Sequence, residues 1–173
     1  MAVVLQTPLV IRDDDDLVRA SAENPGYQFE READGSIRVT PTSTNDGAKS
    51  TEALFQVATY AKKHGGKAYD SNTGFAIGPG KTVRSPDASW LSPQRIASLD
   101  DKHKVGFWPI CPDVVIEVCS SSDDFKETIL KTQSYIERGA TYAVTINPET
   151  REVRQLGAPP PGLTLDFDAI IDA

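Results

Sequence analysis

The run Asp113-Val114-Val115-Ile116-Glu117-Val118-Cys119 constrains the fold more than any other stretch of the chain. Its β-branched residues are stiff at χ1 and suit a pleated, buried surface, so the segment predicts the central strand of a sheet. Glu117 stands inside that strand. A buried carboxylate is costly unless a metal, a base or a partner charge compensates it. Asp87, in Arg84-Ser85-Pro86-Asp87-Ala88-Ser89-Trp90, poses the same question 30 positions earlier. The two acids therefore define the first functional hypothesis.

At 173 residues the chain is long enough for one well-buried domain and short for two, so a single domain over residues 1–173 is expected. No stretch approaches the roughly 18 apolar residues of a spanning helix, and Met1 to Gln6 lacks the basic and apolar parts of a secretion signal. A cytoplasmic protein with no membrane partner is expected. The two cysteines, Cys111 and Cys119, flank an extended strand that holds them beyond bonding distance, and they are expected to be reduced. They and the two histidines, His64 and His103, lack the paired spacings of a zinc site. A hard metal with oxygen ligands remains open. The net charge of −7 argues against a broadly basic surface for nucleic acid. Lys49, Lys62, Lys63 and Lys67 form one local basic cluster, which reads first as a solvated helix face.

Elements follow from punctuation and periodicity. Asp13 to Asp16 suit the positive end of a helix through Ala20. Tyr27 to Arg31 and Ser36 to Thr40 flank the turn Ala33-Asp34-Gly35, which predicts a hairpin. Leu54, Val57, Ala58 and Ala61 recur at helical spacing between Gly47 and His64, with Gly65-Gly66 as the stop. Short strands are expected near Lys67 to Tyr69, Gly74 to Ile77 and Val83 to Trp90, then a brief helix at Ser92 to Ala97. After the central strand, Ser122 or Asp123 can cap a helix that runs to about Arg138 and stops at Gly139. Thr141 to Ile146 and Glu152 to Leu156 are the final strands, followed by the stiff Pro159-Pro160-Pro161 connector and a short tail. The order predicts a mixed α/β fold.

Strand parity sorts the acids. Asp113, Val115, Glu117 and Cys119 share one face, but Asp113 and Glu117 lie roughly 13 Å apart at about 3.3 Å per residue. They cannot grip one small ion together. Asp87 can join Glu117 if its strand is a neighbour at matching height. Mg²⁺ accepts one or two carboxylates and keeps waters, which leaves room for a phosphate oxygen and an attacking water. Glu30, on the first hairpin strand, is a third available acid, although taken alone it reads first as an exposed hairpin glutamate. A lysine would orient the water and counter developing negative charge. The simplest place for it, two residues past Glu117, holds Cys119.

With Asp87 in its Ser-Pro-Asp context, Cys111 to Asp123 around Glu117, and then Lys131, Tyr135, Gly139 and Pro148, the chain resembles the Uma family of putative restriction endonucleases. That family lies within the PD-(D/E)XK nuclease-like superfamily. The resemblance runs from about Leu9 to Leu165 and includes Asn24-Pro25, the hairpin with Glu30 and Gly35, Pro41-Thr42, and Ser71 to Phe75. It implies a restriction-endonuclease-like three-layer core, a mixed sheet flanked by helices, with an N-terminal helix and hairpin. It further implies that Asp87 and Glu117 bind the metal, that Glu30 supports them, and that the catalytic lysine stands on the following helix, where Lys131 matches. Periodicity pulls the other way: Phe125, Ile129 and Ile136 cluster on a helical wheel and Lys131 falls nearly opposite, beside Tyr135, with Lys126 as the reserve candidate. Val144-Thr145-Ile146 replaces the family's Trp before the turn at Pro148, and Ala48-Lys49-Ser50 replaces the His or Asn near the start of the long helix.

Gly78-Pro79-Gly80-Lys81-Thr82 imitates the end of a phosphate-binding loop, but Phe75 stands where its first glycine belongs and strand follows, so a hairpin turn is the better reading. The expected function is a Mg²⁺- or Mn²⁺-dependent endonuclease acting on nucleic acid, most of all DNA, with Asp87 and Glu117 on the metal, Glu30 assisting and Lys131 activating water. The alternative is a nuclease-fold module without activity that binds nucleic acid or a protein. A homodimer would let two sites address two strands.

Overall fold

The computed structural model describes residues 10–41, 44–78, 82–101, 106–121 and 123–173, with residues 44 and 45 described by backbone alone. The central run forms strand β7 (Val114–Val118), and all five of its residues are buried. Full burial stabilises an aliphatic side chain by about 1.5–3 kcal/mol, so a strand of this composition is driven to the middle of a sheet. Around it lies a five-stranded sheet in the order β3 (Lys67–Asp70), β6 (Ala88–Leu91), β7, β8 (Tyr142–Asn147), β9 (Glu152–Gly157). The β7–β8 pair is parallel and the other pairs are antiparallel. The parallel step uses helix α4 (Phe125–Glu137) as its crossover.

Parity decides what each face meets. Val114, Ile116 and Val118 pack with Ala53, Val57 and Tyr60 of helix α2 (Thr44–His64) and with Ile170 and Ile171 of helix α5 (Phe167–Asp172). Val115 packs on the opposite face with Tyr135 of α4, Leu91 and Phe75. The sheet is thus flanked by helices on both faces, as expected. Gly66, at φ +81°, turns the chain after α2, and a Cβ there would lie 2.2 Å from the Leu91 carbonyl oxygen. Only glycine fits.

A second, smaller sheet carries the N-terminal hairpin. Its order is β2 (Ile37–Pro41), β1 (Tyr27–Arg31), β5 (Val83–Arg84), β4 (Phe75–Ala76), and helix α1 (Asp14–Glu23) covers it through Leu17 and Ala20. Asp13 caps α1 by accepting from the Asp16 N–H at 2.9 Å. The helix α3 (Pro93–Ala97) takes Ser92 as its cap, with proline in its first turn.

Several expectations change. The stretch Val83 to Trp90 is not one strand: β5 belongs to the small sheet and β6 to the large one, with Ser85-Pro86-Asp87 as the link. Pro86 has no N–H to give a ladder, which favours a break there. The cap of α4 is Asp124, which accepts from the Lys126 N–H at 2.8 Å; Ser122 lies outside the described residues. The tail ends in α5, which buries Ile170 and Ile171. The turn 79–81 also lies outside the described residues, but its flanks β4 and β5 pair antiparallel and Ile77 N–H donates to the Thr82 carbonyl at 2.8 Å. Cys111 and Cys119 are free and buried. Among the described residues no helix is long and apolar enough to cross a membrane.

Candidate active site

The β6–β7 ladder pairs Trp90 with Val114, Ser89 with Val115 and Ala88 with Ile116. One further step in that register sets Asp87 opposite Glu117. Residues directly opposite in an antiparallel pair hold their Cβ atoms about 4.5–5.5 Å apart on one face. Because Asp87 precedes β6, its carboxylate turns to the neighbouring backbone, and Oδ2 accepts the Val118 N–H at 2.7 Å. Ser50, in the first half of α2, also hydrogen-bonds the Asp87 side chain.

Glu30 arrives from the other sheet. It is 3 % exposed on β1, and its Oε1 accepts the Ser85 N–H at 2.7 Å, which ties the hairpin to the Ser85-Pro86-Asp87 link. Lys131 reaches in from α4 and closes the cluster. Its Nζ lies 3.1 Å from Glu30 Oε1 and 2.9 Å from Glu117 Oε1. One turn further along α4, Tyr135 Oη donates to the same Glu117 oxygen at 3.0 Å. Arg84 donates to the Arg31 carbonyl at 3.2 Å and pairs with Glu32 beside the cluster.

Burial and charge set the protonation of these groups. Burial pushes Asp87 up to about 6, against the opposing pull of the Val118 N–H and the Lys131 charge. Burial also raises Glu117 well above the usual carboxylate range, with Lys131 opposing and the charges of Asp87 and Glu30 adding to the rise. For Lys131, burial works against the ammonium, but Glu117 and Glu30 outweigh it and hold the group above the ordinary lysine range. Lys131 is a cation at neutral pH. Burial and the adjacent carboxylates keep Tyr135 a neutral phenol.

The cluster lines a cleft of about 540 Å³ whose wall carries nine acidic and three basic side chains. All four residues expected from the sequence, Glu30, Asp87, Glu117 and Lys131, meet there. Lys126 does not: it is exposed and absent from the cleft wall. Asp113 serves the scaffold, paired with Arg95 at 2.8 Å and accepting the Ser92 N–H at 2.7 Å. The four lysines form no single patch, since Lys49 is in the first half of α2 and Lys62 and Lys63 are in its last turn. That is about 20 Å at 1.5 Å per residue. Ser50, Tyr135 and Arg84 were missed as site residues. Arg84 and Tyr135 carried faint signals, the first three positions before Asp87 and the second four after Lys131 on the same helix face.

Asp87 and Glu117 offer hard oxygen donors on the wall of one cleft, a donor type that fits Mg²⁺ or Mn²⁺ with waters or substrate completing the shell. Among the described residues, no three His, Cys, Asp or Glu side chains close around one point. The donors suit an open site rather than a closed cage.

The family model for Uma2, described as putative restriction endonuclease, matches residues 14–163. The chain belongs to the Uma2 family. The Uma2 match contains the whole cluster and ends before α5 begins. Among solved structures, the chain is similar to a putative nuclease from Anabaena variabilis ATCC 29413, with a TM-score of 0.64 and 16 % identity over 90 % of this chain and 97 % of that one. At that identity the likeness shows the fold. No curated protein matches the sequence.

Proposed function

We propose that this protein is a Mg²⁺- or Mn²⁺-dependent endonuclease that hydrolyses phosphodiester bonds in nucleic acid, with DNA as the first substrate to test. One observation carries the reading: a lysine ammonium spans two buried glutamates while a third carboxylate stands opposite one of them, all on the wall of an open cleft. Gathering three carboxylates from two sheets and a lysine from a helix at one cleft is costly in desolvation and like-charge repulsion, which favours chemistry over packing. Uma2 membership supports a nuclease.

Asp87 and Glu117 would hold the metal, which when bound would supply Lewis-acid polarisation of the phosphoryl oxygens. Lys131 is an ammonium, so it donates and does not act as a base. It orients the attacking water through that water's oxygen and offsets negative charge that develops on the phosphate. A carboxylate on the cleft wall accepts the water's proton as the general base. Glu30 holds Lys131 in place and joins the hairpin to the site.

The excess of acids on the cleft wall favours one rival, a module of this fold that does not cleave and meets a protein instead. A plasmid-nicking assay with Mg²⁺ or Mn²⁺ separates the two, run with Asp87→Ala and Glu117→Ala beside the parent. Cleavage by the parent and none by the variants is expected. No cleavage of varied DNA and RNA, together with no divalent-metal binding by calorimetry, overturns the nuclease reading.

A further inference from the structure

The two glutamates of the cluster use their oxygens unequally. Oε1 of Glu117 takes both the Tyr135 hydroxyl, at 3.0 Å, and the Lys131 ammonium, at 2.9 Å. Oε1 of Glu30 takes both the Ser85 N–H, at 2.7 Å, and Lys131, at 3.1 Å. Neither Oε2 accepts a hydrogen bond from a described residue, and neither is among the buried polar atoms left without a partner. Both glutamates line the cleft, and in each the donors named above converge on Oε1.

Tyr135 is what makes this division specific at Glu117. Its side chain is fully buried among Phe75, Leu91 and Val115, where a phenylalanine would pack as well. Its backbone carbonyl accepts the Ala140 N–H at 2.9 Å as α4 ends, which fixes the residue at the base of the ring. The hydroxyl thus reaches the core with one polar target, and that target is the oxygen already held by Lys131. One ammonium alone is a point charge on a flexible stem and leaves the carboxylate free to swing about it. A second donor on the same oxygen, from a rigid ring, fixes the plane of the group.

We propose that Tyr135 is a positioning residue whose hydroxyl, with Lys131, saturates Oε1 of Glu117 and so presents Oε2 to a divalent cation in the cleft. This rests on the nuclease reading and deepens it. Groups that orient a metal ligand change affinity by about 10- to 100-fold when lost.

The test is Mn²⁺ binding to the full chain by calorimetry, comparing the parent with Tyr135→Phe, with cleavage kinetics alongside. The variant is expected to bind Mn²⁺ at least about tenfold more weakly, to lose kcat and to keep the parent's KM for DNA. Replacing Tyr135 by 3-fluorotyrosine, which keeps ring and donor, is expected to restore the parent's affinity. Parent-like Mn²⁺ affinity in Tyr135→Phe, or a loss with 3-fluorotyrosine as large as with phenylalanine, overturns the positioning role alone. A parent that binds no Mn²⁺ overturns the metal-dependent reading and this role with it.

Discussion

Asp87→Asn is the sharpest perturbation, because the amide keeps an acceptor for the Val118 N–H and changes only charge and titration. Burial lifts the Asp87 carboxyl from 3.8 to about 6. A carboxyl that binds its proton more tightly when folded stabilises the fold at pH below its unfolded value and loses that contribution as pH rises through its folded value. That rise corresponds to about 3 kcal/mol in full. Roughly half of that, about 1.4 kcal/mol, falls between pH 5 and pH 8. In a protein of this size it moves the midpoint of thermal unfolding by about 3–6 °C. Thermal unfolding in EDTA at both pH values should therefore show Asp87→Asn gaining on the parent as pH rises. Adding Mn²⁺ at pH 8 should raise the parent's midpoint and leave the variant's nearly unchanged. Parallel pH profiles for the two proteins would refute the claim that desolvation in the fold raises the Asp87 carboxyl.

Lys131→Met should abolish nicking and cost about 3–5 kcal/mol in urea unfolding at pH 8, since it strands Glu30 and Glu117 without their cation. That deficit should shrink toward pH 5, where Glu117, already raised by burial, takes up a proton; a deficit constant with pH contradicts the pairing. Asp113→Asn should lower stability through the lost Arg95 pair while leaving the Mn²⁺ dissociation constant unchanged, and a tenfold weaker constant would place Asp113 in the metal site. Burial pushes the thiols of Cys111 and Cys119 up to about 11, so iodoacetamide at pH 8 should label neither until urea unfolds the chain. Mass spectrometry of the native protein checks this directly, and rapid labelling of either thiol contradicts the burial.

Much of the fold and the residues that converge on the candidate site were legible in the sequence. Asp13, Ser92 and the glycines after α2 and α4 mark helix ends through local backbone chemistry, and the β-branched run marks the central strand through burial. The misplaced features share a cause. Val83 to Trp90 looks like one strand because no glycine turn separates its two ends, yet the two halves pair with different sheets. Lys131 looks solvated on a helical wheel because the wheel knows only the apolar edge, whereas α4 also turns Thr132 and Tyr135 inward. Residue resemblance to a family, not periodicity, pointed to Lys131.

The sequence by itself determined that Glu117 would sit in a buried strand and that Asp113 stands too far along it to share one small ion with Glu117, because side-chain parity and rise per residue are local properties of a strand. Only the tertiary structure decided that Asp87 stands opposite Glu117, that Glu30 crosses from a second sheet, and that Lys131 and Tyr135 meet on one oxygen. Register between strands and the approach of a helix depend on contacts far apart in the chain, and no local pattern encodes them.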